Sequence, residues 1–246
     1  MFKNVNWRFE IYEALASTSD LCRSRAEAGE PDGLVILAKE QYAARGSRGR
    51  GWTTGKGNLS FSFLMHFVDD EWLQALPFLI SVALYEALQG FLPGPQKAEK
   101  CFQLKWPNDL LLDGRKLAGI LVETGYSGPK RWAVVGIGVN LQEAPVIEGR
   151  ELACFAEKAP PPTSEICAHA IIESLQRWLQ VWQKEGVRVV HQTWLSYAHP
   201  VGTRLAVKGR DTYMTGMFGG LDEQGRLLLT LESGEVVPVV TGDVLL

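Results

Sequence analysis

Apolar residues recur along this chain with two periods, and the changes of period mark its elements. Short apolar runs at 7–12 and 34–38 predict strands, and Ser17-Thr18-Ser19-Asp20 between them offers several N-cap side chains for a helix. Residues 58–67 alternate through Phe61-Ser62-Phe63, which predicts a strand with one buried face, and 71–89 carries apolar residues at helical spacing. A Pro/Gly turn is expected over 90–99. Beyond it, 101–105, 110–112, 116–123 and 131–141 are rich in Leu, Val and Ile. The turn residues Asp113-Gly114 and Ser127-Gly128-Pro129 separate them, which predicts a largely antiparallel sheet.

Pro160-Pro161-Pro162 is a rigid break, and two helices are expected after it, at 164–185 and 187–197, joined at Gly186. From about His199 the pattern shortens to strands at 203–207, 213–218, 226–231 and 236–239, punctuated by glycines, which suits a small appended barrel. Strands and helices without a repeating βαβ rhythm give an α+β class. The expected division is 1–198 for the main domain and 199–246 for the barrel.

Composition narrows the function. A chain of 246 residues with 46% hydrophobic content can build one sizeable core plus a small module. A net charge of −3 argues against bulk nucleic-acid binding, which leaves a basic footprint over a whole domain. Cys22, Cys101, Cys154 and Cys167 form no C-x-x-C pair and no zinc spacing, so reduced thiols are expected and no resident metal. No stretch approaches the roughly 20 apolar residues of a membrane span, and the N-terminus lacks the apolar region of a signal peptide. A cytoplasmic setting with neither membrane nor DNA as partner follows as the expectation.

Against this neutral background one segment stands out: Arg45-Gly46-Ser47-Arg48-Gly49-Arg50-Gly51-Trp52. Arginine forks match phosphate or carboxylate oxygens in pairs, and glycines let backbone approach a ligand. The same composition suits a flexible surface loop or a sequence-tolerant nucleic-acid contact. No carboxylate lies between Gln41 and Val68, so the arginines need counter-charge from elsewhere in the fold, from solvent or from a ligand.

Three further constellations carry chemistry. In Lys105-Trp106-Pro107-Asn108-Asp109 the proline fixes a bend and presents Asn108 and Asp109 at a sheet edge, although a capped hairpin turn has the same composition. Lys116, seven residues past Asp109, can aim a point charge into a pocket or reach for water from a strand end. In Val134-Val135-Gly136-Ile137-Gly138-Val139-Asn140 the glycines clear space for a ligand or for a neighbouring helix, and Asn140 pairs a donor with an acceptor, as an adenine edge requires.

Taken in order, Ser17-Thr18, the 45–52 loop, Gly57-Asn58-Leu59, 105–109, 114–123, 136–140 and Gly242-Asp243-Val244 resemble the biotin protein ligases. The likeness is to their short type, without an N-terminal DNA-binding domain, and covers essentially the whole chain. It implies a class II synthetase-like catalytic domain with a mixed, largely antiparallel sheet, and an SH3-like barrel. It also implies two reactions: biotin and ATP, as its Mg2+ complex, give biotinyl-5'-AMP, and a lysine of a biotin carboxyl carrier protein domain then displaces AMP. No prosthetic group is implied, and the assembly is left open between monomer and homodimer.

By the same resemblance Ser17, Thr18, Ser19, Gln41, Arg45, Gly46, Ser47, Lys116 and Gly119 would hold biotin. Arg48, Arg50, Trp52, Asn108, Gly136 and Asn140 would hold ATP or the adenylate, and Lys116, Arg45 and Asp109 would be catalytic. The family loop reads G-R-G-R-x-G-R-x-W; here Ala44 replaces its first glycine and Ser47 its second arginine, so Arg48 is expected to substitute for the missing arginine. Three other classes fit parts of the pattern. Lipoate ligases have a differently composed motif, a regulator would carry a helix-turn-helix, and an RNA-binding protein would show salt-dependent affinity.

Overall fold

A computed structural model describes residues 5–67, 70–98, 100–209 and 212–246. The first part of the chain runs β1 (Arg8–Leu15), α1 (Thr18–Glu27), β2 (Leu34–Gln41), β3 (Leu59–Phe67), α2 (Asp70–Gly90) and α3 (Gly94–Ala98). Then follow β4 (Phe102–Lys105), β5 (Asp109–Leu112), β6 (Arg115–Ser127), β7 (Lys130–Val139), α4 (Ser164–Glu185) and α5 (Val187–Tyr197). Strands β1 to β7 form one sheet in the order β1-β2-β3-β7-β6-β5-β4, parallel between β1 and β2 and antiparallel elsewhere, which is the expected mixed sheet.

Side-chain alternation decides what lies on each face of this sheet. Val35 and Leu37 of β2, Phe61 and Phe63 of β3, and Val135 and Ile137 of β7 join the main core with α2 and α4. Complete burial of each phenylalanine contributes about 1.5–3 kcal/mol. The opposite face carries Leu34, Ile36, Leu64, Trp132 and Val134, which pack with Cys22 and Ala26 of α1. Helix α1 covers only part of that face. Where it ends, the strands turn to small residues: Ser60 and Ser62 on β3 stand opposite Gly138 and Gly136 on β7, and these stand opposite Gly119 and Leu121 on β6. A shallow cavity in the sheet is the result.

Ser60 and Ser62 are 1% and 0% exposed, so the expectation that β3 buries one face is corrected: both faces are buried, one against helices and one under the cavity. The turn expected over 90–99 contains the short α3, and residue 99 lies outside the described residues. The C-terminal strands are β8 (Arg204–Lys208), β9 (Tyr213–Leu221), β10 (Leu227–Thr230), β11 (Val236–Val239) and β12 (Asp243–Leu245). They form an antiparallel sheet in the order β11-β10-β9-β8-β12. Strand β12 has no counterpart among the strands expected from the apolar pattern.

This smaller sheet rests against the larger one beside the cavity. Trp106 Nε1 donates to the Gly225 carbonyl at 3.3 Å, and Lys105 Nζ donates to the Val244 carbonyl at 3.3 Å. All four cysteines are buried, and among the described residues none is in a disulfide. Among the described residues no helix is long and apolar enough to cross a membrane.

Candidate active site

The cavity is floored by the small residues of β3, β6 and β7 and walled at one end by the start of α1. Ser17 caps that helix, its Oγ accepting from the Asp20 backbone N–H at 3.3 Å. The cap fixes Thr18 and Ser19 so that their hydroxyls share hydrogen bonds with Ser62 Oγ at 2.8 and 3.0 Å. Gln41, from the end of β2, accepts from the Thr18 backbone N–H at 2.7 Å and donates to Thr54 Oγ1 at 3.3 Å, which in turn meets Ser60 Oγ at 3.1 Å. These groups make one end of the cavity a ring of hydroxyls and an amide, in which each group can exchange a partner with a polar ligand.

The other end is charged. Lys116 Nζ stands 2.5 Å from Asp109 Oδ1 and 5.8 Å from the centre of the Trp52 ring. Lys105 approaches the second oxygen of Asp109 at 3.6 Å. Asn108 Nδ2 donates to the Ile120 carbonyl at 2.6 Å, which fixes the bend after β4 against β6. The Trp106-Pro107 peptide in that bend is cis.

The basic loop crosses the cavity as a tight excursion. Arg45 and Gly51 pair as an antiparallel bridge around a 3-10 turn at Ser47–Gly49. Its counter-charge comes from distant parts of the chain. Arg45 grips Glu123 of β6 through both nitrogens at 3.0 and 2.7 Å, and meets Asp20 of α1 at 2.8 Å. Arg50 pairs with Asp243 of β12 at 3.0 Å. The first of these partnerships raises the Arg45 pKa, with the Glu123 hydrogen bond as the largest cause. Of the sources of counter-charge that the sequence leaves open, carboxylates elsewhere in the fold thus serve Arg45 and Arg50.

Beyond the loop, the Trp52 indole lies in the cavity. A methyl group on Gly138 would come within 2.6 Å of its Cζ2 and Nε1, and one on Gly119 within 3.4 Å of its Cζ3. A methyl on Gly136 would collide with Ser19 Oγ. The missing side chains therefore make room for the indole and for α1.

Of the residues named from the sequence, Ser17, Thr18, Ser19, Gln41, Arg45, Gly46, Ser47, Trp52, Asn108, Lys116, Gly119 and Gly136 line this one cavity. Asp109 adjoins it through Lys116. Gly136 and Asn140 are not brought together as a single adenine frame, because Gly136 faces the hydroxyl end. Asn140 is 1% exposed, donates to the Ala153 carbonyl at 3.1 Å, and keeps a buried Oδ1 with no partner. Arg50 points to β12, and the Arg48 side chain lies outside the described residues. Sequence reasoning missed Ser60, Ser62, Asp20 and Glu123. The period-2 serines were visible in β3, but only the register shows that they face Gly136 and Gly138.

The cavity in the mixed sheet thus offers hydroxyl and amide groups at one end and a lysine-aspartate pair at the other, with the basic loop crossing it. Residues 13–140 match the model of the biotin/lipoate A/B protein ligase family, and residues 203–246 match the biotin protein ligase C-terminal domain. A biotin–acetyl-CoA-carboxylase ligase of Paracoccus denitrificans is 34% identical over 217 residues, covering 82% of this chain and 87% of its own. The biotin protein ligase of Aquifex aeolicus, solved with biotin and ATP, superposes with a TM-score of 0.79 at 25% identity, covering 99% of this chain and 98% of that one. That of Leishmania major, solved with biotinyl-5-AMP, gives 0.68 at 26% identity over 95% and 98%. The chain belongs to the biotin/lipoate A/B protein ligase family, in its biotin protein ligase branch.

Proposed function

We propose that this protein activates biotin with ATP to biotinyl-5'-AMP, releasing pyrophosphate. It then transfers the biotinyl group to a lysine of the biotin carboxyl carrier protein domain of acetyl-CoA carboxylase, forming an amide. One observation carries this reading: a hydroxyl-amide ring and a lysine-aspartate pair stand at opposite ends of a single cavity. A ureido ring, rich in donors and acceptors, suits the first end, and a carboxylate becoming an acyl phosphate suits the second.

Ser17, Thr18, Ser19 and Gln41 receive the ureido group, with Ser62 as an added partner, while Gly119 and Leu121 form the apolar wall beside the ring. Lys116, held by Asp109, meets the biotin carboxylate and the α-phosphate and offsets the charge that gathers there in the transition state. Mg2+ arrives as part of the ATP substrate. The buried, unpaired Oδ1 of Asn140 is suited to accept from an adenine amino group, and Arg50 exchanges Asp243 for phosphate oxygens. In the second step Asp109 takes a proton from the incoming lysine ammonium, since only the neutral amine attacks.

The half-open cavity offers about 50 Å³, whereas small-molecule sites measure about 300–1,000 Å³, and outward movement of the Trp52 indole and the loop tip enlarges it for substrate. Residues 1–198 act as the catalytic unit and 199–246 as its accessory in the cytoplasm, where ATP is at hand.

The test is an assay with labelled biotin, ATP and a carrier domain, with lipoate as the competing acid. Lys116→Ala is expected to slow biotin-dependent pyrophosphate exchange by about 10²–10³-fold. An undiminished rate would remove Lys116 from the mechanism, and a preference for lipoate would reassign the substrate.

A further inference from the structure

Two kinds of ion pair hold the basic loop. At its tip, Arg50 and Asp243, 41% and 38% exposed in their side chains, meet through two hydrogen bonds at 3.0 and 3.3 Å, a surface pair that water and salt exchange readily. At its root, Arg45, 35% exposed, makes a shorter two-pronged contact of 3.0 and 2.7 Å with the less exposed Glu123 (21%), and it meets a second carboxylate, Asp20 (38%), at 2.8 Å. Arg23 of α1 ties the same two carboxylates together, at 3.2 Å to Asp20 and 3.7 Å to Glu123. Arg45 and Arg23 therefore join Asp20 and Glu123, with Glu27 of α1 at the edge 4.0 Å from Arg23, in one network that links α1, the loop and β6. Both terminal nitrogens of Arg45 are engaged in it, and its Nε is the donor left buried without a partner.

From this contrast we infer that Glu123 and Asp20 are positioning residues: through Arg45 they latch the root of the loop over the cavity, and opening is confined to the tip, residues 46–52. Arg45 is then a fixed post rather than a mobile anion clasp. The latch matters here because Ser47 supplies no guanidinium to a reaction intermediate; its Oγ only accepts from Arg50 at 3.3 Å. A lid whose root does not lift then holds an acyl-adenylate together with Arg48.

The inference rests on the function proposed above, and its test separates the two. In the free protein, trypsin cleavage after Arg48 and Arg50 is expected to quicken about tenfold in Glu123→Gln and in Asp20→Asn, a factor equivalent to ~1.4 kcal/mol of latching. This readout needs no substrate, and the milder, surface-side Asp20→Asn change keeps it available if Glu123→Gln folds poorly. With biotin and ATP, single-turnover quench experiments should show biotinyl-AMP leaving the variants about tenfold faster, with the rate of its formation within about twofold of wild type. Arg45→Ala, Glu123→Ala and the double variant should release it at one common rate, since they remove one unit. Unchanged cleavage and unchanged release overturn the latch, as does slower formation with release unaltered. Absence of biotinyl-AMP from the wild type overturns the function and leaves the cleavage result to judge the latch.

Discussion

At Gly138 the indole of Trp52 fills the space that a side chain would take, which answers the close approach that a mid-strand glycine calls for. Gly138→Ala would place a methyl where the indole lies, and overpacking of this kind costs about 1–3 kcal/mol. Because the ligand takes the same floor once the indole has moved out, a methyl that overpacks the bound ring to the same extent lowers biotin affinity, measured by calorimetry without ATP, by about 5–150-fold. Wild-type affinity would show that the floor at Gly138 is not part of the biotin site. Arg45 marks where single-residue reading stops. Its charge was legible; its partner 78 residues away was not, because nothing local to Arg45 or Glu123 reports that β6 passes beneath the loop.

Elements with local signals were legible, and those held by remote pairing were not. Helix α1 begins where its capping side chains predict, and β2, β3, β6 and β7 overlap their apolar runs. The three-residue strand β12 exists because it pairs with β8 through Asp243, Val244 and Leu245, a contact that no periodicity in so short a segment can announce. The start of α1 also makes a stability test of the site possible. Ser17 both caps the helix and lines the cavity, so Ser17→Ala removes two functions at once. Loss of the cap costs about 1 kcal/mol, and in a protein of this size that lowers Tm by roughly 2–4 °C. Ser17→Gly, which substitutes as a cap at little cost, should recover most of the Tm by scanning calorimetry without restoring the hydroxyl to the cavity. If biotin binding recovers together with Tm, Ser17 acts through the helix alone.

At the scale of the whole molecule, the join between the two sheets contains two histidines placed to sense acid. His191 of α5 is 7% exposed, packs edge-on against Phe78 at 4.7 Å, and has a buried Nε2 without a partner beneath the β9-β10 turn at Gly225. His199, just after α5, likewise has an unpartnered buried Nε2. Burial lowers both pKa values; Asp222 opposes the effect at His191, and Lys105 adds to it at His199. The unfolded histidines, titrating near 6.5, therefore take up protons before the folded ones do. Stability is complete above that value and is lost as pH falls from about 6.5 through the lowered folded values. Denaturant midpoints should accordingly be level from pH 8 to 7 and decline toward 5.5, with His191→Gln reducing the slope. A level profile down to 5.5 would mean that the join admits water to both rings. Because the folded rings stay neutral over this interval, the join through which Trp106 and Lys105 lead into Asp109 keeps its contacts, and carrier-protein biotinylation by the folded protein should not follow the fall in the midpoint.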